Sequence, residues 1–232
     1  MKTIGLIGGM SWESSAEYYR LINAEVHRRL GGQHSAKCVL ISVDFSEVEE
    51  LQRNGQWQAA GELMAVAARQ AELAGADFLV LCTNTMHKVT ADIQSAIHIP
   101  FLHIADATAQ QIVPSGLSRI GLLGTRFTME EDFYKSRLEQ NFGLSVLIPD
   151  RSDRDSVHHI IYDELVHGLI QEKSRDIYRE VIRNLVADGA QGIIFGCTEI
   201  GLLVAQSDSP VPVFDTTQIH ALAAVSFSLN SI

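Results

Sequence analysis

Gly75-Ala76-Asp77-Phe78-Leu79-Val80-Leu81-Cys82-Thr83-Asn84-Thr85 and Gly189-Ala190-Gln191-Gly192-Ile193-Ile194-Phe195-Gly196-Cys197-Thr198-Glu199 share one plan: Gly-Ala, a short apolar run, then a small polar cluster. They align without a gap at an offset of 114 (197 − 83), which sets Thr83 opposite Cys197 and Asn84 opposite Thr198. Outward from these stretches, Gly5-Leu6-Ile7-Gly8-Gly9 answers Gly121-Leu122-Leu123-Gly124-Thr125, and Pro100-Phe101-Leu102 answers Pro212-Val213-Phe214. The chain reads as a duplicated unit. A duplication that places one hydroxyl and one thiol at equivalent positions suggests two groups facing a single substrate from opposite sides.

Runs rich in Val, Ile and Leu alternate with helix-period segments along the whole length, the pattern of parallel sheets covered by helices on both faces. Strands are expected near 3–8, 38–43, 78–82, 101–104, 118–123, 145–148, 192–195 and 212–214, with helices near 12–30, 56–74, 86–97, 128–142, 154–168, 174–188 and 216–230. Ser11 is placed to cap the first helix and Gly31-Gly32 to end it. The expected fold is α/β: two pseudo-symmetric domains, each a roughly four-stranded parallel sheet flanked by helices, with the active site in the cleft between them. Residues 1–110 plus 210–232 are assigned to the first domain and 111–209 to the second, the chain crossing over near 105–115 and returning near 208–212.

Composition narrows the partners. With 46% hydrophobic and 20% charged residues, the chain has the balance of a folded soluble protein and no tract that reads as disordered. A formal charge of −10 with scattered Lys and Arg argues against nucleic acid or an anionic membrane surface and leaves a small molecule as the expected partner. Three cysteines, Cys38, Cys82 and Cys197, do not make a disulfide framework, no apolar run reaches a membrane span, and the first residues lack a secretory signal pattern. The expected location is the cytoplasm.

In parallel sheets, ligands collect where strands end and helices begin. Thr83-Asn84-Thr85, Cys197-Thr198-Glu199, Gly8-Gly9-Met10-Ser11 and Gly124-Thr125 all fall at such junctions, and a carboxylate ligand would suit them. Cys197 follows a strand and precedes an expected helix start, a setting that can lower a thiol pKa and make it a base. Cys82, one place before the junction, is expected to point into the core, as is Cys38.

These motifs resemble the cofactor-independent aspartate/glutamate racemase family. Thr83-Asn84-Thr85, Cys197-Thr198-Glu199 and the opening Gly5-x-x-Gly8-Gly9-Met10 carry the likeness, which runs over essentially the whole chain. Thr83 where the family pattern has a first cysteine is similar to the branch specific for L-aspartate and L-glutamate. The resemblance implies no cofactor and no metal, Thr83 and Cys197 on either side of the substrate α-carbon, and a homodimer. It also implies substrate contacts from Met10, Gln52 and Arg53, the last two in a loop after the second strand; Arg53 either pairs the distal carboxylate or is a solvated surface arginine.

Racemisation needs a base on one face of the α-carbon and an acid on the other, with donors around the carbanion's carboxylate; Asn84, Thr85, Thr125 and Thr198 can donate, and Glu199 can receive the ammonium or cap its helix. Because a hydroxyl is a far weaker acid than a thiol, Cys197 is expected to abstract the proton and the Thr83 side to return one. Gly5-x-x-Gly8-Gly9 lacks the spacing of a nucleotide-phosphate loop, and His158-His159 with His167 lack converging metal ligands, so an exposed helix face is expected there. His87 either tunes the site or makes a local hydrogen bond. Two alternatives stay open: a racemase or isomerase of a related acidic or hydantoin-like substrate, and a non-catalytic protein that binds acidic amino acids.

Overall fold

The computed structural model describes residues 1–230. Eight parallel strands form two four-stranded sheets. The first half runs β1 (Ile4–Gly8), α1 (Trp12–Leu30), β2 (Cys38–Ser42), α2 (Phe45–Arg53), α3 (Trp57–Leu73), β3 (Phe78–Leu81), a 3-10 turn at Thr85–Val89, α4 (Thr90–Ser95) and β4 (Phe101–Leu102). After α5 (Ile104–Ile112), the second half runs β5 (Arg119–Gly124), α6 (Arg126–Glu130), α7 (Asp132–Phe142), β6 (Ser145–Leu147), α8 (Arg151–Asp163), α9 (Glu172–Ala187), β7 (Gly192–Gly196), α10 (Ile200–Leu203) and β8 (Val213–Asp215), ending in α11 (Thr216–Leu229).

Strand order is β2-β1-β3-β4 in one sheet and β6-β5-β7-β8 in the other, and the register repeats as well. Gly5 lies between Val39 and Leu79; Gly121 lies between Leu147 and Ile193. At each of these glycines a Cβ would strike its repeat-related neighbours, the Leu79 side chain and Ala76 at Gly5, and the Ile193 side chain and Ala190 at Gly121. The duplication therefore extends from sequence to packing.

Both faces of the first sheet are covered, which is why its strands are continuously apolar. Ile4, Leu6, Phe78, Val80 and Cys82 pack with Tyr18, Ile22 and Val26 of α1 and Ala221, Ala224 and Val225 of α11. The alternate residues Ile7, Leu79 and Leu81 pack with Met64, Ala67, Ala68 and Ala71 of α3. In the second half, Leu123, Ile193 and Phe195 join Val157, Ile161, Tyr178, Val181 and Ile182 of α8 and α9.

Several expectations change. Residues 45–53, expected as a loop, form α2, capped by Asp44, whose side chain accepts from Ser46 N–H. Residues 104–112, read as a crossover, form α5. The expected helices 86–97, 128–142 and 154–168 are each broken into two shorter pieces. Cys38 is half-buried because β2 is an edge strand. The chain divides into one compact unit of Met1–Ile104 plus the segment from His220 onward, and another of Ala105–Ile219, with the boundaries inside α5 and α11. That differs from a division at 110/111 and 209/210, because β8 hydrogen-bonds to β7 and so belongs to the second sheet.

Candidate active site

In the first unit, β1 and β3 are neighbours and the turns that leave them lie side by side; Cys82 N–H donates to the Ile7 carbonyl and Val43 N–H to that of Gly8. Gly9 takes a φ of 96°, and a Cβ there would overlap the Val43 backbone, so the Gly8-Gly9 turn is built for close approach. Ser15 fastens it: Gly9 N–H donates to Ser15 Oγ (2.7 Å), which donates to the Ser11 carbonyl (3.0 Å). Ser11 caps α1 as expected, accepting from Ser14 N–H. Met10, Thr83, Asn84 and Thr85 are all buried. The Thr83 hydroxyl has no hydrogen-bond partner among the described residues, so nothing there activates it as a base. Gln52 is buried at the end of α2 and donates to Met86 Sδ (3.0 Å). Arg53, one residue on, turns outward: its side chain is 66% exposed and 3.9 Å from Glu49.

His87 was legible only as an ambiguous neighbour of the motif. Its ring is buried and bridges two backbone groups, Nδ1 lying 2.7 Å from the Thr83 carbonyl and Nε2 accepting from Ile104 N–H at 3.2 Å. His103 and His220, which sequence reasoning passed over, lie against it, with ring centroids 4.5 Å and 6.0 Å away. His220 accepts from Tyr18 Oη at Nδ1 and donates from Nε2 to the Leu102 carbonyl, both at 2.9 Å, and burial pulls its pKa down to about 4. The signal that could have found His103 is its place directly after β4, at the same strand-end edge as Thr83.

In the second unit, Gly124 and Gly196 are paired and each packs too closely on the other strand to carry a Cβ. Thr125 and Cys197 follow them directly. Thr125 caps α6, accepting from Thr128 N–H (3.3 Å). The Cys197 thiol is 8% exposed and donates to Glu199 Oε2 at 3.0 Å; the Thr198 hydroxyl donates to the same oxygen at 2.7 Å. Glu199 stands at the start of α10 but makes no side-chain cap. Its carboxylate serves Cys197 and Thr198 instead.

The expected lowering of the Cys197 pKa is reversed. Burial pushes the thiol well above its usual value, and the negative charge and hydrogen bond of Glu199 push the same way. Main-chain donors from Thr198 and Glu199 oppose this but do not win, and the helix that follows is a single turn. Cys197 therefore rests as a thiol with a carboxylate already in contact. Burial raises the Cys82 thiol too, and it packs in the core as expected.

The remaining histidines make no metal site. His158 is half-buried rather than exposed, accepts from Arg126 N–H (3.2 Å) and is held below its usual pKa by burial. No group of three or more His, Cys, Asp or Glu among the described residues is arranged to hold a metal ion, and no helix among them is long and apolar enough to cross a membrane.

Two duplicated α/β units with a hydroxyl at one strand end and a thiol at its repeat partner define a protein of the two-unit racemase fold. The chain belongs to the Asp/Glu/hydantoin racemase family, whose model it matches over residues 7–224. It is 58% identical to a proposed Asp/Glu racemase from Yersinia pestis, with a TM-score of 0.93 and coverage of 99% of this chain and 100% of that one. An aspartate racemase homologue from Pyrococcus horikoshii is 33% identical, with a TM-score of 0.83 over 98% and 99% of the two chains. The broad specificity amino-acid racemase RacX of Bacillus subtilis is 28% identical over 158 residues, 67% of this chain and 66% of that protein, just under two thirds of its length.

Proposed function

We propose that the protein is a cofactor-independent racemase that converts L-aspartate and L-glutamate to their D forms. The observation that carries this reading is the pairing of Cys197, in hydrogen-bond contact with Glu199, with the repeat-related hydroxyl of Thr83. A buried thiol beside a carboxylate has a proton acceptor at hand, whereas the hydroxyl at the equivalent position has none among the described residues.

The thiol passes its proton to Glu199 Oε2, the thiolate removes the α-proton of the L enantiomer, and the electron pair left on the α-carbon delocalises into the substrate carboxylate. Thr83 Oγ1 delivers a proton to the opposite face and is reprotonated by solvent, while Cys197 keeps the α-proton as its thiol hydrogen and Glu199 releases to solvent the proton it took. Donors from Asn84, Thr85 and Thr125 would stabilise the carboxylate as charge builds on it, and the Thr198 hydroxyl would join them on turning its hydrogen away from Glu199 Oε2. The reading requires that Thr83 and Cys197 serve one substrate molecule. Any preference for the L enantiomer resides in rates, since the two enantiomers have equal free energy in water.

Arg53 favours a second reading, a racemase that accepts a wider set of α-amino acids. Its side chain lies in solvent beside Glu49 rather than buried with Gln52. Chiral product analysis over acidic, amide and neutral L-amino acids, and a hydantoin, separates the two. D-aspartate and D-glutamate alone support the acidic specificity, and comparable yields of neutral D-amino acids support the broader one. No product from any of them, with the protein folded, removes both.

A further inference from the structure

We infer that His87 is a positioning residue that holds the catalytic hydroxyl of Thr83 in place through the Thr83 backbone; the inference rests on the racemase reading above. The turn after β3 begins as a 3-10 helix, in which His87 N–H bonds to the Asn84 carbonyl at 3.1 Å instead of reaching back to Thr83. That leaves the Thr83 carbonyl without its helical partner, and the imidazole of His87, four residues on, takes up the bond at 2.7 Å. The other ring nitrogen meets a second group of the same kind, the N–H of Ile104 in the first turn of α5, at 3.2 Å.

Two backbone groups thereby fix the protonation of the ring. Ile104 N–H can only donate, so Nε2 is the acceptor, and the hydrogen resides on Nδ1, directed at the Thr83 carbonyl. A second proton on Nε2 would face the Ile104 N–H, so the clamp works only as the neutral Nδ1–H tautomer. His87 is 2% exposed and packed edge-on against His103 and near His220, whose own ring is kept neutral by burial. The peptide between Thr83 and Asn84 is planar, so pinning its carbonyl sets the Thr83 ψ angle on one side and the direction of Asn84 on the other. A hydroxyl that must meet a planar carbanion tolerates little displacement, and an error of about 1 Å can cost on the order of 100-fold in rate.

The two copies of the repeat diverge here. At the offset of 114, Gly201 stands where His87 stands in the first unit, and a Cβ at Gly201 would meet Asp215 Oδ2. At this position the unit that offers a thiol carries a glycine, and the unit that offers a hydroxyl carries an imidazole.

The test divides the ring's two bonds. In His87→Asn the amide nitrogen can replace Nδ1 as donor to Thr83, whereas in His87→Gln the longer amide can replace Nε2 as acceptor from Ile104. Both keep one bond, so a purely architectural histidine predicts similar losses. The positioning role predicts that His87→Asn keeps most of the kcat for L-aspartate and that His87→Gln loses about 10- to 100-fold in kcat with a smaller change in KM. It also predicts that the kcat/KM pH profile of His87→Asn keeps both limbs of the wild type. Equal activities in the two variants, or loss of a limb, would overturn the inference. Imidazole nitrogen NMR on the wild type decides the geometry independently of turnover: the Nδ1–H tautomer unchanged from pH 8 to pH 6 supports the clamp, and an Nε2–H or titrating ring removes it. If the wild type turns over no amino acid while the tautomer is as stated, the substrate reading fails and the clamp stands.

Discussion

Glu199 decides what Cys197 can do. Burial first, and then its charge, hold the thiol protonated in the resting protein, yet in the proposed mechanism it is also the acceptor that takes that proton before the thiol acts as a base. Glu199→Gln should therefore move two observables in opposite directions. Without the charge the thiol pKa falls, so alkylation of Cys197 by iodoacetamide at pH 7.5 should quicken by about tenfold, while α-proton removal from L-aspartate should slow by about 100-fold. Parallel changes would mean that the carboxylate has only one of these roles. Since the thiol pKa is raised and the proposed route starts from the thiol beside an ionised Glu199, the wild-type rate from L-aspartate at subsaturating substrate should stay level from pH 7 to pH 9; a steady climb would mean that the thiol loses its proton to solvent and not to Glu199. Thr83 makes the complementary case. Thr83→Cys puts a thiol on the side that lacks one, and the rate from D-aspartate should rise by about tenfold or more.

At the scale of elements, the Tyr18–His220–Leu102 chain ties α1 and α11 to β4, and it does so with a neutral ring. The folded pKa of His220, about 4, lies below the roughly 6.5 of an unfolded histidine, so the unfolded chain takes up a proton that the folded one refuses. This contribution is complete above about pH 6.5 and drains away as pH falls toward 4, to a total of about 3 kcal/mol. Urea unfolding from pH 7 to pH 4 should show the loss in the wild type and a shallower acid slope in His220→Gln, which keeps the donor to Leu102. Gly5→Ala should cost about 1–3 kcal/mol through the clash with Leu79 and Ala76, and Gly121→Ala a similar amount in the second sheet.

The same scale shows how far the sequence could be read. All eight strands were legible: β1, β3 and β7, and β5 after Arg119, are buried throughout and read as continuous apolar runs, while the edge strands β2, β4, β6 and β8 are only partly buried yet still carry Val, Ile, Leu or Phe between turn residues. The nine-residue α2 was not: with only Phe45, Val48 and Leu51 at helical spacing, it is too short for periodicity to separate it from a loop, and its Asp44 cap becomes visible only with the fold. That Thr83 and Cys197 stand at equivalent strand ends was legible because the repeat marks them. The Cys197 pKa was not, since its sign depends on burial and on where the Glu199 side chain turns. The histidine set was hidden for a different reason: its members come from the 3-10 turn after β3, the end of β4 and α11, and only sheet order brings them together.

For the whole molecule, the duplication predicts a division of labour between two units of one design. One contributes a hydroxyl on a clamped backbone, the other a thiol with its own proton acceptor. Proton removal and proton return should therefore be separable by substitution. Proton NMR of L-aspartate in deuterated water, with chiral analysis of the same samples and no added cofactor, follows both steps in the wild type, Cys197→Ser and Thr83→Ala. The wild type should lose the α-proton signal and form D-aspartate together, Cys197→Ser should do neither, and Thr83→Ala should form D-aspartate more slowly than it exchanges the α-proton. Exchange that survives in Cys197→Ser, or a folded wild type that exchanges no α-proton, would contradict the assignment of this thiol as the base.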